Sequence, residues 1–178
     1  ILGLAVSLAV KDSLSNLAGG LTILGTKPFK VGDYVQIDDI EGTVQDIGLV
    51  YTSLTTWDNR RILVPNSTVV DAEVTNYTTE PLRRVDLTIT ASYGASVEEV
   101  KDVIQGVLAR HDKVLKDPAP FARLSSYGDN ALGYAVRAWC RTEDYWDVYY
   151  DLLEELKSAF DAAGLSIPYP QMEVTLRK

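Results

Sequence analysis

Only two charged residues, Lys11 and Asp12, interrupt the first 26 positions of this chain. Ile1 to Val10 is apolar or small throughout. A helix rises about 1.5 Å per residue, so such a run covers roughly half of a bilayer's hydrocarbon core. Two solutions satisfy it: the end of a membrane helix whose start lies upstream, or a buried helix of a water-soluble protein. It has no initiator Met, basic flank or small-residue cleavage site, so it does not read as an intact signal peptide.

The rows along this segment have distinct compositions. At i, i+4 spacing Leu4, Leu8 and Asp12 form one row, and Leu2, Val6 and Val10 the opposite one. Small residues flank the leucines, Gly3 and Ser7 on one side, Ala5, Ala9 and Ser13 on the other. A leucine ridge between small-residue grooves suits a helix in a ring, touching two identical neighbours, with the ridge toward the axis. A Gly/Ala-rich soluble helix stays open as the alternative. Lys11-Asp12-Ser13 is expected to break the run, with Ser13 capping a second helix after a bend. Leu14, Leu17, Leu21 and Leu24 then give that helix one apolar face, as for a helix lying at an interface. Gly19-Gly20 weakens it and Pro28 ends it.

From Phe29 to Tyr77 strand and turn signals alternate at short intervals. Strands are expected at Tyr34–Ile37, Thr43–Ile47, Val50–Trp57, Arg61–Val64 and Glu73–Tyr77, with turns at Asp38-Asp39 to Glu41-Gly42 and at Asp58-Asn59. Pro65-Asn66-Ser67 reads as a break. Five short antiparallel strands suggest a small all-β barrel of the SH3 or Sm type. Pro81 onward reads β-α-β-β-α-β, a ferredoxin-like α+β order. Its elements are a strand over 85–91, a helix opened by a Ser96/Glu99 capping box, strands Phe121–Tyr127 and Leu132–Arg141, a helix near 144–163, and a last strand Met172–Leu176. Tyr149, Leu152, Leu153, Leu156 and Phe160 are expected to face inward, and Gly164 to terminate the second helix. The chain is therefore multi-domain, with segments 1–27, 28–80 and 81–178.

Composition removes several function classes. A net charge of -8 and a pI near 4.6 argue against a binder of nucleic-acid phosphates. One cysteine, Cys140, and one histidine, His111, leave no disulfide framework, Cys-based zinc site or multi-His metal centre. The acidic pairs Asp38-Asp39, Glu98-Glu99 and Glu154-Glu155 are adjacent in sequence and so point apart, which disfavours a catalytic dyad. Gly20 to Lys27 nearly spells a phosphate loop, but the lysine is one residue late and Pro28 stands where the helix should start. Trp57, Trp139 and Trp146 read as packing anchors and Cys140 as a core thiol. Arg60-Arg61 and Arg83-Arg84 read as salt-bridge partners or portal-lining charges. No catalytic residue, metal ligand or cofactor site is expected, and the chain reads as no enzyme.

Residues 13–31, Ser-Leu-Ser-Asn-Leu-Ala-Gly-Gly through Lys-Pro-Phe-Lys-Val, resemble the pore-helix exit of the MscS family of small-conductance mechanosensitive channels. So do Gly32-Asp33-Tyr34-Val35, Ile62-Leu63-Val64-Pro65-Asn66 and Pro168-Tyr169-Pro170-Gln171-Met172, in the family's order and spacing. The resemblance implies a homo-heptamer whose third transmembrane helix lines the pore above a hollow cytoplasmic vestibule, the first two transmembrane helices being absent here. Residues 1–27 would be the pore helix and its amphipathic continuation, 28–80 the Sm-like β domain, 81–170 the vestibule domain, and 171–178 a strand of an intersubunit barrel.

The same resemblance assigns roles. Leu4 and Leu8 match the rings that close the pore, where a narrow apolar constriction excludes water. Gly3, Ala5, Ser7 and Ala9 match the surface that slides on opening. Asp12, Ser13, Gly19 and Gly20 lie at the bend or hinge, and Asn16 matches a polar link to the β domain. Asp12 stands where many members have glycine, so Asp12 and Lys11 would bear on ion selectivity. The implied function is a channel opened by membrane tension, releasing ions and small solutes on hypo-osmotic shock from a bacterial-type inner membrane. Its partners would be its own copies, lipids and permeating solutes, and no nucleic acid. The alternatives are a family member gated by a ligand or regulatory domain outside this segment, or a soluble Sm-like and ferredoxin-like binding module.

Overall fold

A computed structural model describes residues 2–170 and Met172, with residues 2–9 described by their backbone alone. The chain divides into two compact units, Ile1–Glu80 and Pro81–Lys178.

The first unit opens on α1, Leu2–Thr26, a single helix of 25 residues. The expected break at Lys11–Ser13 is not there, and Ser13 caps nothing. Lys11, Asp12 and Ser13 are exposed, where polar side chains stay hydrated and cost a helix only their modest propensities. The helix ends where Lys27 turns to φ 51° before Pro28. Phe29 then enters a core with Ile23, Val35, Ile37, Val44, Leu54, Val64 and Val69.

Around that core lie β1 (Tyr34–Ile37), β2 (Ile40–Ile47), β3 (Tyr51–Thr55), β4 (Arg61–Pro65), α2 (Asn66–Asp71) and β5 (Val74–Asn76). The five strands form one antiparallel sheet in the order β4-β3-β2-β1-β5, which returns the last strand to the side of the first. Alternation sets the faces: Val35 and Ile37 of β1 point inward between half-buried Tyr34 and Gln36. The β1–β2 turn is tighter than expected. Asp38, at φ 48°, and Asp39 close it, so Glu41 and Gly42 belong to β2. Helix α2 replaces the expected break. Its six residues bury Val69 and Asn66 against the sheet, and that burial holds a turn that β-branched Thr68, Val69 and Val70 would not hold alone.

The second unit contains β6 (Leu82–Ala91), α3 (Val97–Arg110), β7 (Phe121–Tyr127), β8 (Leu132–Arg141) and α4 (Tyr145–Ala162), α4 being preceded by a 3-10 turn, Thr142–Asp144. The antiparallel sheet has the order β6-β8-β7, with β8 at its centre. That is the order of the first three strands of a ferredoxin-like domain. The expected strand Met172–Leu176 lies, apart from Met172, outside the described residues, as does the rest of 171–178.

Ten register pairs join β6 to β8 and set Val85 beside Ala138 and Leu87 beside Val136 on the face that the helices cover. Val100, Ile104, Val107 and Leu108 of α3 and Val148, Leu152, Leu156 and Phe160 of α4 supply the opposite wall. The inward row of α4 thus starts at Val148 and repeats every four residues. Tyr149 is only half-buried and Leu153 is exposed, since both lie one step off that row. The Ser96/Glu99 capping box does not form: Ser96 Oγ–H donates to Glu98 Oε2 at 3.3 Å instead. Gly164, at φ 71°, ends α4, with its N–H on the Asp161 carbonyl and the Leu165 N–H on that of Phe160.

Candidate functional site at the helix and β-domain junction

The C-terminal half of α1 has two faces of opposite fate. One is fastened to its own β domain. Ile23 is buried in the core, a burial worth roughly 2 kcal/mol. One turn earlier the backbones touch. A Cβ on Gly20 would lie 2.4 Å from the Leu49 carbonyl oxygen and 2.6 Å from Asn66 Nδ2. On Gly19 it would lie 2.8 Å from the carbonyl carbon and oxygen of Asn66. The Gly19-Gly20 pair is the surface on which the helix seats.

Asn66 is the other half of that seat. It is fully buried, its Nδ2 donates to the Gly48 carbonyl at 2.8 Å, and its Oδ1 accepts from Thr52 Oγ–H at 2.8 Å. Its own N–H donates to the Val50 carbonyl at 2.9 Å. The β2–β3 turn, β3 and the start of α2 are thereby tied to one side chain beneath the glycines. The adjoining Ser67 meets the helix directly: Asn16 Oδ1 accepts from its N–H at 3.0 Å and from its Oγ–H at 2.9 Å. Asn16 Nδ2 donates back to the Asp12 carbonyl at 3.0 Å, which fixes the amide rotamer. The sequence singled out Asn16, Gly19 and Gly20 but assigned no role to Leu49, Asn66 or Ser67. Those three sit in turns and in a helix without periodicity, so only the adjacent Pro65-Asn66 signal marked the place.

The opposite face of α1 is bare. Val10, Leu14, Leu17, Leu21 and Leu24 run at i, i+4, i+7, i+11 and i+14, all exposed, Leu14 by 63%. A stripe of large aliphatics on water is the mark of a surface that another apolar body covers. Lys11 lies beside it, whereas Asp12 stands one turn before Asn16 toward the docked face, and both are exposed. Leu4 and Leu8, and the small residues Gly3, Ala5, Ser7 and Ala9, are on the same helix, but their side chains lie outside the described residues. No described helix is long and apolar enough to cross a membrane.

Below the seat, buried Asp33 closes the loop that leads from α1 into β1. Burial pushes its carboxyl up, but the hydrogen bonds from Asn76 Nδ2 (2.8 Å), the Lys30 N–H (3.0 Å) and Thr78 outweigh it, and the group sits below the usual carboxylate range. Among the described residues no group of acidic, His or Cys side chains is arranged to hold a metal.

Two family models match in chain order: the β domain of mechanosensitive ion channels over residues 12–79, and the C-terminal domain of the mechanosensitive channel MscS over residues 85–167. The closed-state crystal structure of Helicobacter pylori MscS superposes over 99% of this chain and 70% of that one, with TM-score 0.94 and 31% identity. The chain belongs to the MscS family. The small-conductance mechanosensitive channel of Edwardsiella ictaluri is 38% identical over 174 residues, 98% of this chain and 61% of that protein. Arabidopsis thaliana MSL1, 24% identical with TM-score 0.81, shares the fold. The chain spans about three fifths of the length of the curated MscS relatives it matches.

Proposed function

We propose that the chain is the pore-forming part of a mechanosensitive channel that opens under membrane tension and passes ions and small solutes. It works as a homo-oligomer, a heptamer, in a bacterial-type inner membrane, with both globular units on the cytoplasmic side. The observation that carries this reading is the two-faced helix. One face of α1 is clamped to the β domain through Asn16, Gly19, Gly20 and Ile23. The other presents Val10 to Leu24 to whatever surrounds it. An element held at one face and bare at the other transmits a displacement of its surroundings to a folded domain, and tension biases such an element toward the state of larger in-plane area. The names of the E. ictaluri and H. pylori relatives support the same activity.

Farther up the same helix Leu4 and Leu8 meet their symmetry mates and close the path by excluding water. Gly3, Ala5, Ser7 and Ala9 give the close helix contacts that let the ring widen. No covalent chemistry enters. The test is electrical: the full-length protein in liposome patches under suction should show steps of conductance that grow with tension, and Leu8→Ser should open without suction. Silence up to patch rupture, or a monomer by mass in detergent, would reject the reading.

A further inference from the structure

On the first unit, away from the junction, a cavity of about 410 Å³ opens between the β3–β4 hairpin and the β1–β2 turn. Its aromatic wall is Tyr34 and Trp57, with ring centroids 5.1 Å apart and planes at 45°. Trp57, expected from the sequence to be a packing anchor, is instead 73% exposed, so most of its indole faces water. Tyr77 packs against Tyr34, with ring centroids 5.8 Å apart.

The remaining walls are charged. Asp39, Glu41 and Asp58 carry three carboxylates against one guanidinium, Arg60. Arg60 Nε is engaged by Asp58 Oδ2 at 2.7 Å, so this pair cancels. Glu41 accepts the Tyr34 hydroxyl hydrogen at 2.8 Å on one oxygen. Glu41 and Asp39 both line the cavity. Burial and then the Glu41 carboxylate push the Tyr34 phenol up to about 12, so it stays protonated and holds Glu41 in place at neutral pH. Asp38 and Glu73, in the neighbouring surface hollow that shares Asp39, extend the negative field.

We propose that this cleft binds a small organic cation, an alkylated ammonium of choline size, with its positive head on the indole face of Trp57 and between Glu41 and Asp39. An electron-rich indole face beside two carboxylates attracts a positive charge twice, through the ring quadrupole and through Coulomb's law. Alkyl groups on the nitrogen lower its hydration, so the ring returns what is lost on leaving water. For bare potassium it does not. The inference does not depend on the channel reading, since it rests on one domain's surface.

The test is a calorimetric titration of the purified full-length oligomer at fixed ionic strength, read as the heat of binding. Choline chloride should give a saturable heat where potassium chloride gives none. The uncharged isostere 3,3-dimethylbutan-1-ol should bind at least tenfold more weakly. Trp57→Leu should abolish the response, and Glu41→Gln should weaken binding about tenfold, as expected when one charged partner is lost. Trp57 is exposed, so its replacement leaves the core intact, and an unchanged elution volume checks that. Asp39→Asn gives a second variant outside both the sheet and the aromatic wall, expected to weaken binding severalfold. The proposal is overturned if choline acts no differently from potassium, if the isostere binds as well, or if the response survives Trp57→Leu.

Discussion

Asn16 and Ser67 are 51 positions apart in sequence, and one side-chain oxygen of the first receives two hydrogen bonds from the second, at 3.0 and 2.9 Å. This double acceptance is the polar link between α1 and the β domain. Asn16→Ala leaves the Ser67 N–H without its acceptor in a half-buried place, a loss of about 1–3 kcal/mol. The β domain should remain folded while the Ser67 amide exchanges with deuterium about ten to a hundred times faster. Asn16→Asp keeps the acceptor and should restore most of the protection. Unchanged exchange in the alanine variant would mean that the glycine seat alone holds the helix.

That seat gives a sharper contrast within one helix. Gly20→Ala drives a Cβ to 2.4 Å from the Leu49 carbonyl oxygen, a backbone atom that cannot swing aside. Gly25→Ala meets nothing within 4 Å. The first should destabilise the first unit by about 1–3 kcal/mol or more and detach the helix. The second should be neutral to about 1 kcal/mol stabilising, since alanine costs less backbone entropy than glycine. Thermal unfolding of the two variants side by side checks both signs.

Acid should act through Asp33. Its carboxyl is lower in the folded than in the unfolded state, so the stability it contributes is fully present above the unfolded value, about 4, and is lost as pH falls through the folded value. Urea midpoints should therefore fall steeply below about pH 4 in the parent protein. Asp33→Asn should be less stable at pH 7, because an amide cannot accept from Asn76, Lys30 and Thr78 as a carboxylate does, and its acid limb should be flatter. Parallel pH curves for the two proteins would show that other carboxylates set the acid limb.

What could be read from the chain was whatever follows a short period. Strands Tyr34–Ile37, Phe121–Tyr127 and Leu132–Arg141 have the bounds that alternation and turn residues gave them. Some of the differences were decided by partners distant in sequence, others by local signals that carry two meanings. Asn66–Asp71 is helical because Val69 and Asn66 are buried, and no local signal says so. Lys11–Ser13 looked like a break because charge was read as an interruption, yet at exposed positions the helix continues through it. Gly19-Gly20 read as a weak point of the helix, and its close approach to the β domain is visible only once Leu49 and Asn66 are known to be opposite. Trp57 looked like core because tryptophan usually is, and it lies on the surface.

The unbroken helix bears directly on Asp12. Two dispositions compete for its carboxylate. A break near Ser13 would turn Asp12 toward a neighbouring subunit, within reach of a neutralising Lys11. A continuous helix instead carries the direction of the Leu8 row onward, with about 40° of rotation for each four-residue step. Asn16, one step beyond Asp12, points at Ser67 of its own β domain. Asp12 thus lies between a row assigned to the pore and a row docked on the β domain, and it is exposed. Ion pairs among the described residues include Asp58–Arg60, Arg84–Asp86, Lys113 with Asp144 and Asp147, Arg141–Glu143 and Lys157–Asp161, all away from Asp12. In a ring of copies, then, one carboxylate per subunit stands a helical turn below the proposed gate. Carboxylates so placed favour cations over anions, most strongly where the path is narrow and screening is weakest. Asp12→Asn should shift the reversal potential in a salt gradient toward the anion side, and the shift should shrink as ionic strength rises. Asn keeps the size and polarity of Asp, and the backbone carbonyl that Asn16 uses is untouched, so the helix and its seat should be unchanged. An identical reversal potential in the two proteins would mean that ions are selected in the vestibule before they reach α1.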